Sequence, residues 1–191
     1  MLLYWPFSRT TAARVNLKCW NIKINVILAK ALDLELIDQK KLSIINKRSG
    51  FTIRTMYLDW VITIYKHSPT SLHITGIKSS AMITEVFQFI SLVLKMTVLS
   101  SKINNSMFCG KFDHCVDISQ IIRRIERQFA FYTCTFCEEI FPACFIKGTK
   151  EKKREGLPTI LLFPNGSCII MGAKNIRTVK NARMFLNLLV K

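Results

Sequence analysis

Between Gly156 and Lys174 the chain reads Gly-Leu-Pro-Thr-Ile-Leu-Leu-Phe-Pro-Asn-Gly-Ser-Cys-Ile-Ile-Met-Gly-Ala-Lys. Two short apolar runs flank Pro164-Asn165-Gly166, which is the pattern of a hairpin closed by a tight turn. A related string lies 96 residues upstream: Trp60-Val-Ile-Thr-Ile-Tyr65, a turn around Ser68-Pro69, then Leu72-His-Ile-Thr-Gly-Ile-Lys78. Ile74-Thr-Gly-Ile-Lys-Ser79 is set against Ile170-Met-Gly-Ala-Lys-Asn175. A hairpin pattern followed by a helix pattern, met twice, predicts a duplicated domain.

The 191 residues suffice for one long domain or two small halves sharing a core, and half of them are hydrophobic. Twenty-eight Lys+Arg against twelve Asp+Glu leave a formal charge of +16. Such a balance favours a polyanionic partner, nucleic acid first and an anionic membrane surface second. Met1 through Leu32 hold five basic residues and no acid. The apolar start is too short and wrongly ordered for a signal peptide, and Glu85, Gln88 and Lys95 interrupt the longest apolar region, so no membrane span is expected. Seven cysteines, an odd number, fit free thiols in a reducing, intracellular compartment.

Residues 1–21 read as a basic lead, 22–95 as a first repeat and 96–191 as a second. Ile22 to Ala29 and Phe51 to Tyr57 favour strands, whereas apolar residues at 34, 37, 42 and 45 suggest a helix over 34–48 ended by Ser49-Gly50. Ser79-Ser80 can cap a helix whose face is Met82, Ile83, Val86, Phe89, Ile90, Val93 and Leu94. In the second half, Met96 to Phe108 is strand-like around a polar run. Asp117 or Ser119 can cap a helix faced by Ile118, Ile121, Ile122, Ile125 and Phe129. Strands follow at 131–136 and 141–147, then the basic loop 148–155, the hairpin, and a last helix with Val179, Ala182, Leu186 and Leu189 inward. Strands grouped beside few helices predict an α+β fold: helices on one face of an antiparallel sheet, and the other face free for solvent or ligand.

Three stretches in order resemble the TATA-box-binding protein family. Lys102-Ile-Asn-Asn105 is similar to the Lys-Ile-Gln-Asn that opens that family's second repeat. Phe136-Cys-Glu-Glu-Ile-Phe-Pro142 is similar to its Tyr-Glu-Pro-Glu-Leu-Phe-Pro. Leu161-Leu-Phe163, Pro164-Asn-Gly166 and Met171-Gly-Ala-Lys174 follow its second hairpin. In the first half Thr75-Gly-Ile-Lys78 fits, Asn25 is taken as the counterpart of Asn105, and Phe51 follows Lys47-Arg48 as the family's first wedge follows a Lys-Arg pair. The resemblance implies a saddle of two pseudo-symmetric repeats, a curved antiparallel sheet with helices on the convex face and the DNA minor groove on the concave one.

On that resemblance Phe141 and Phe163 are wedges of the second repeat, and Phe51 and Tyr65 stand at the wedge positions of the first. An exposed, rigid ring can replace base stacking at a kink, although an isolated strand phenylalanine is ordinarily core. Asn25 and Asn105 are candidates for the central groove, where A·T pairs show only acceptors and an amide can donate; strand asparagines otherwise cap backbone locally. Thr75 matches a groove-contacting threonine, but its partner position is Met171, which donates nothing. Lys78, Lys174, Lys147 and Arg54 are placed for phosphates, against the usual fate of a solvated charge. Glu139 and Ile140 match the stirrup that meets the B-type initiation factor.

Cys134-Thr-Phe-Cys137 with Cys109, Cys115 and His114 raises zinc, but the spacing lacks a second Cys-x-x-Cys knuckle. No Gly-rich phosphate loop, nucleophile triad or carboxylate pair stands out, so an enzyme is not expected and no cofactor is implied. The expected function is a nuclear transcription initiation factor that binds and bends A·T-rich promoter DNA. Its expected partners are A-type and B-type general initiation factors and, indirectly, RNA polymerase, with no membrane. The alternative is a protein-binding adaptor of the same fold with weak DNA affinity.

Overall fold

The computed structural model describes residues 15–33, 42–55, 59–149 and 157–190. Among these residues ten strands and three helices follow one another as β1 (Asn16–Leu28), β2 (Leu42–Lys47), β3 (Gly50–Thr55), β4 (Val61–Tyr65), β5 (Ser68–Ile77), α1 (Ser80–Leu92), β6 (Val98–Lys111), α2 (Ile118–Gln128), β7 (Tyr132–Cys137), β8 (Phe141–Gly148), β9 (Thr159–Leu162), β10 (Ser167–Ala173) and α3 (Ile176–Leu189). The strands form one sheet in the order β2-β3-β4-β5-β1-β6-β10-β9-β8-β7, an α+β architecture. The chain divides into two compact units. Unit 1 comprises Met1–Leu17, Gly110–Ile170 and Arg177–Lys191, and unit 2 comprises Lys18–Cys109 and Met171–Ile176.

In unit 2, alternation decides which side of each strand is core. Ile22, Ile24, Val26 and Leu28 of β1, Ile62 and Ile64 of β4, and Leu72, Ile74 and Ile77 of β5 are buried with Val86, Phe89 and Ile90 of α1. Burying each such side chain contributes about 1.5–3 kcal/mol. Trp60 closes this core, edge-on to Phe89 at 4.8 Å. Ser79 caps α1 by accepting from the Met82 amide at 3.3 Å. The residues between, Lys23, Asn25, Thr63, Tyr65, His73 and Thr75, project from the opposite face, where none is fully buried.

In unit 1, Asp117 caps α2 through the Gln120 amide at 3.0 Å, and Arg127 lies in the last turn, where a cation suits the helix dipole. Ile118, Ile121 and Ile125 of α2 are buried, as are Val179, Ala182, Phe185, Leu186 and Leu189 of α3. Tyr132 stacks on Phe185 at 4.1 Å, and Phe129 meets the same ring edge-on at 5.1 Å. Arg124 donates to the Leu189 carbonyl at the end of α3 at 3.1 Å.

Three local expectations change. Residues 42–47 form strand β2 rather than the end of a helix, each residue facing one of 50–55; residues 34–41 of that expected helix lie outside the described set. Leu42 and Ile45 mimic a helical stripe, but β-branched Ile44 and Ile45 with a two-residue turn at Arg48-Ser49 favour a hairpin. Strand β1 begins at Asn16, inside the stretch read as a lead, and residues 1–14 lie outside the described set. The first-half hairpin turns at Lys66-His67 rather than Ser68-Pro69. Its register shifts between Ile64↔Leu72 and Tyr65↔Ser68, which leaves Pro69-Thr70-Ser71 unpaired with β4. A proline without an N–H suits that break in the ladder. The basic loop expected at 148–155 lies outside the described residues from 150 onward.

Candidate nucleic-acid interface

Residues directly opposite in an antiparallel pair share a face, so the register sorts side chains between core and open surface. In unit 1, Cys144↔Leu162 and Ile146↔Ile160 are core pairs, and Phe145↔Leu161 lies between them on the other side. Phe163, two residues beyond Leu161, shares that side. Phe141 stands 5.4 Å from Phe145 and 5.9 Å from Phe163, ring centre to ring centre, and is 38% exposed. Three rings therefore form one cluster on the open face. The Lys147 ammonium lies 5.2 Å above the Phe145 ring, which attracts it through the negative face of the π-system.

The tip that carries Phe163 is rigid. Its amide donates to Ser167 O at 2.9 Å and its carbonyl accepts from Gly166 N at 3.0 Å, while the Asn165 side chain accepts from Ser167 N. The 112–116 segment pins the turn from outside, through Phe112 N to Gly166 O at 3.0 Å and Val116 N to Pro164 O at 2.7 Å. Gly166 has φ +81°, and a Cβ there would stand 2.3 Å from His114 O. A ring held this way has little conformational freedom left to lose on insertion.

The open face of unit 2 differs. Tyr65 occupies the place of Phe163, stacked on His67 at 5.5 Å and edge-on to His73 at 5.0 Å. Phe51 is opposite Ile64 and packs against the core, as Cys144 is opposite Leu162. The expected wedge role of Phe51 is therefore corrected: its ring points to the helix side. The residue at the register of Phe141, three before this core pair, is Arg48 in the β2–β3 turn.

The asparagines also re-sort. Asn105 Oδ1 accepts from Gly172 N at 2.8 Å, and Asn21 Oδ1 accepts from Gly76 N at the same distance. Both glycines have positive φ, 83° and 91°. Asn21, not Asn25, is thus the counterpart of Asn105. The missed signal is in the sequence: Lys18-Cys-Trp-Asn21 and Lys102-Ile-Asn-Asn105 share a Lys-x-x-Asn spacing. With the carbonyl fixed on backbone, each amide NH₂ is left to donate outward, the polarity that minor-groove acceptors require. Asn25 faces His73 across the strands, and its Oδ1 is buried without a hydrogen-bond partner among the described residues.

Thr75 and Met171 are half-buried beside these glycines. Among the phosphate candidates, Lys78 is ion-paired to Asp59 and holds that carboxyl below the usual carboxylate range through a hydrogen bond and charge. Lys174, Lys147 and Arg54 are exposed, with no ion pair among the described residues. Positive charge also covers the helices of unit 1, with Arg123 and Arg127 on α2 and Arg177, Lys180 and Arg183 on α3 exposed. At the β7–β8 turn Glu139 is exposed and Ile140 is 83% exposed, held by Ile140 N to Cys137 O at 3.1 Å.

The Cys-x-x-Cys pair is divided: Cys137 is exposed at that turn, while Cys134 is half-buried on β7. A hydrogen bond to Cys144 and burial push the Cys134 thiol well above the ordinary thiol range, which disfavours the thiolate a metal needs. Among the described residues no three Cys, His, Asp or Glu side chains are grouped to hold a metal ion.

Residues 100–191 match the family model described as transcription factor TFIID (or TATA-binding protein, TBP). No curated protein matches the chain. Among solved structures the chain is similar to Methanococcus jannaschii TBP, with a TM-score of 0.68 at 17% identity over 91% of this chain and 97% of that one. Members of this family are DNA-binding factors and not enzymes. Residues 100–191, just under half of the chain, resemble the TATA-binding protein family, and the fold over nine-tenths of the length is similar to that of a TBP.

Proposed function

We propose that this chain binds the minor groove of A·T-rich promoter DNA, bends the duplex, and nucleates the assembly of general initiation factors in the nucleus. The observation that supports this most strongly is the cluster of Phe141, Phe145 and Phe163 on the open face of unit 1, rigidly held and partly exposed. Insertion of Phe141 and Phe163 at a base step replaces lost stacking with ring contact and leaves a kink. Asn105 donates to groove acceptors, together with its newly matched partner Asn21, and Thr75 adds a hydroxyl on the unit 2 side. Lys174, Lys147 and Arg54 meet phosphates, and Lys78 does so once it leaves Asp59. Ile140 and Glu139 offer an apolar contact and a charge at an exposed turn for a B-type factor, and an A-type factor completes the assembly.

Titration against a TATA duplex and a scrambled duplex at two salt concentrations, with end-to-end energy transfer as a bending readout, tests the reading. Selective, bent binding is expected. Phe163→Ala should remove the bend and weaken the bent complex by roughly a hundredfold, the scale of an unstacked base step left uncompensated, while charge-driven binding persists. Equal, unbent binding of both duplexes by wild type would defeat it. A second reading, an adaptor with weak DNA affinity, is favoured by the absence from unit 2 of a ring at the register of Phe141; it predicts capture of initiation factors with no bend on any duplex.

A further inference from the structure

A row of polar side chains runs straight across four strands of unit 2 on the side opposite its core, from Thr52, 3% exposed, to the half-buried Thr63, His73 and Asn25. Thr52 is opposite Thr63, Thr63 is opposite His73, and His73 is opposite Asn25. Of the four buried side-chain polar atoms without a hydrogen-bond partner among the described residues, three belong to this row: Thr52 Oγ1, His73 Nδ1 and Asn25 Oδ1. Such atoms are costly to leave unpaired, and their concentration in one row on a ligand-facing surface marks a place built for an incoming partner. At the corresponding register of unit 1 the pair is Phe145 and Leu161, which has no polar atom to offer.

The chemistry of the row selects the partner. Asn25 Oδ1 only accepts, and its NH₂ is free to donate beside it. Burial, then Lys23 and His67, hold His73 below the ordinary histidine range, so its ring stays neutral with one nitrogen able to accept. Both residues are half-buried, and the terminal torsions of Asn and His are soft, so a small rotation turns these edges outward. In the minor groove A·T pairs present acceptors alone, and the one donor is the 2-amino group of guanine. Resting on the DNA-binding reading above, we propose that the Thr52–Thr63–His73–Asn25 row reads a guanine 2-amino group, so that the half-site under unit 2 includes a G·C pair. The Asn25 carbonyl accepts from the amino group while its NH₂ donates to the neighbouring acceptor of the same pair. An A·T pair leaves both Oδ1 and Nδ1 unpaired.

The test uses the full chain and duplexes that differ by a single amino group. Replacing one adenine at a time by 2,6-diaminopurine adds the 2-amino group, and replacing guanine by inosine removes it. Affinity should rise by about tenfold at one or two positions confined to one half of the site, the scale of a good bidentate base contact, and the inosine substitution should reverse it. Asn25→Ala and His73→Phe, with thermal unfolding to confirm a folded chain, should each erase the gain. If the amino group weakens binding at every position of a duplex that is still bound and bent, this inference alone fails. A gain that survives Asn25→Ala also sinks it. No selective binding to any duplex overturns both this inference and the DNA reading beneath it.

Discussion

The two units solve one register with different chemistry. Unit 1 places hydrocarbon on its open face: Phe141, Phe145, Leu161 and Phe163, with a lysine resting on one ring. Unit 2 places Thr52, Thr63, His73, Asn25 and a tyrosine there. Their core faces are alike, with Ile62 and Ile64 set as Ile160 and Leu162 are. Core positions are constrained by packing density, so two copies of a fold keep them similar. Open positions answer only to what binds, and there the copies have separated into a face suited to unstacking and a face suited to hydrogen bonding.

The sharpest stability contrast lies at the paired glycines. Gly76 has φ +91°, and a Cβ would stand 2.6 Å from Asp59 O and 2.9 Å from Trp60 Cα; at Gly172, φ +83°, a Cβ meets nothing within 4 Å. Gly76→Ala should therefore cost about 3 kcal/mol, backbone strain plus overlap, and Gly172→Ala about 1 kcal/mol, strain alone. Thermal unfolding reads these as drops of roughly 6–12 °C and 2–4 °C, and equal drops would break the contrast.

The lysines that follow these glycines differ by less. Lys174 has no ion pair among the described residues, whereas Lys78 is held by Asp59. Across a salt series, Lys174→Ala should lower the slope of log affinity against log salt by about 0.9, one phosphate contact. Lys78→Ala should lower it by less, because the free protein already neutralises that charge. A larger change for Lys78→Ala would mean that Asp59 releases it at no cost.

The smallest effect is on pH. His73 titrates below its ordinary 6.5 in the folded chain, chiefly through burial. As pH falls through that value the unfolded chain takes up a proton that the folded chain refuses. Stability is therefore lost on acidification through the window just below 6.5. Unfolding midpoints across this window should flatten in His73→Phe, and an unchanged slope would place the titration elsewhere.

How much of this was legible in the sequence follows from how local each feature is. Ser79 and Asp117 as caps, and Val179, Ala182, Leu186 and Leu189 as a buried face, depend on neighbours within a turn or two, and all stand as the spacing predicts. Phe51, Asn25 and the hairpin turn depend on strand register, where one residue of slip exchanges core for open face. Pro69-Thr70-Ser71, left unpaired with β4, and the two-residue turn at Arg48-Ser49 move the first repeat out of the frame that Lys47-Arg48-Phe51 suggested. In the second repeat the β7–β8 register shifts between Thr135 and Cys137, yet Phe141 stays on the side of Phe145 and Phe163, which is why its motifs were readable. The polar row was invisible for the same reason: Thr52, Thr63, His73 and Asn25 are scattered in sequence and meet only across the ladder.

The division of labour between the two faces is tested most directly by measuring the bend that Phe163→Ala and Tyr65→Ala each leave in a TATA duplex, by end-to-end energy transfer on matched labels. Phe163→Ala should abolish the bend while Tyr65→Ala retains most of it, since the kink is made from the ring cluster of unit 1. Equal loss in both variants, or a bend that survives Phe163→Ala, would contradict it.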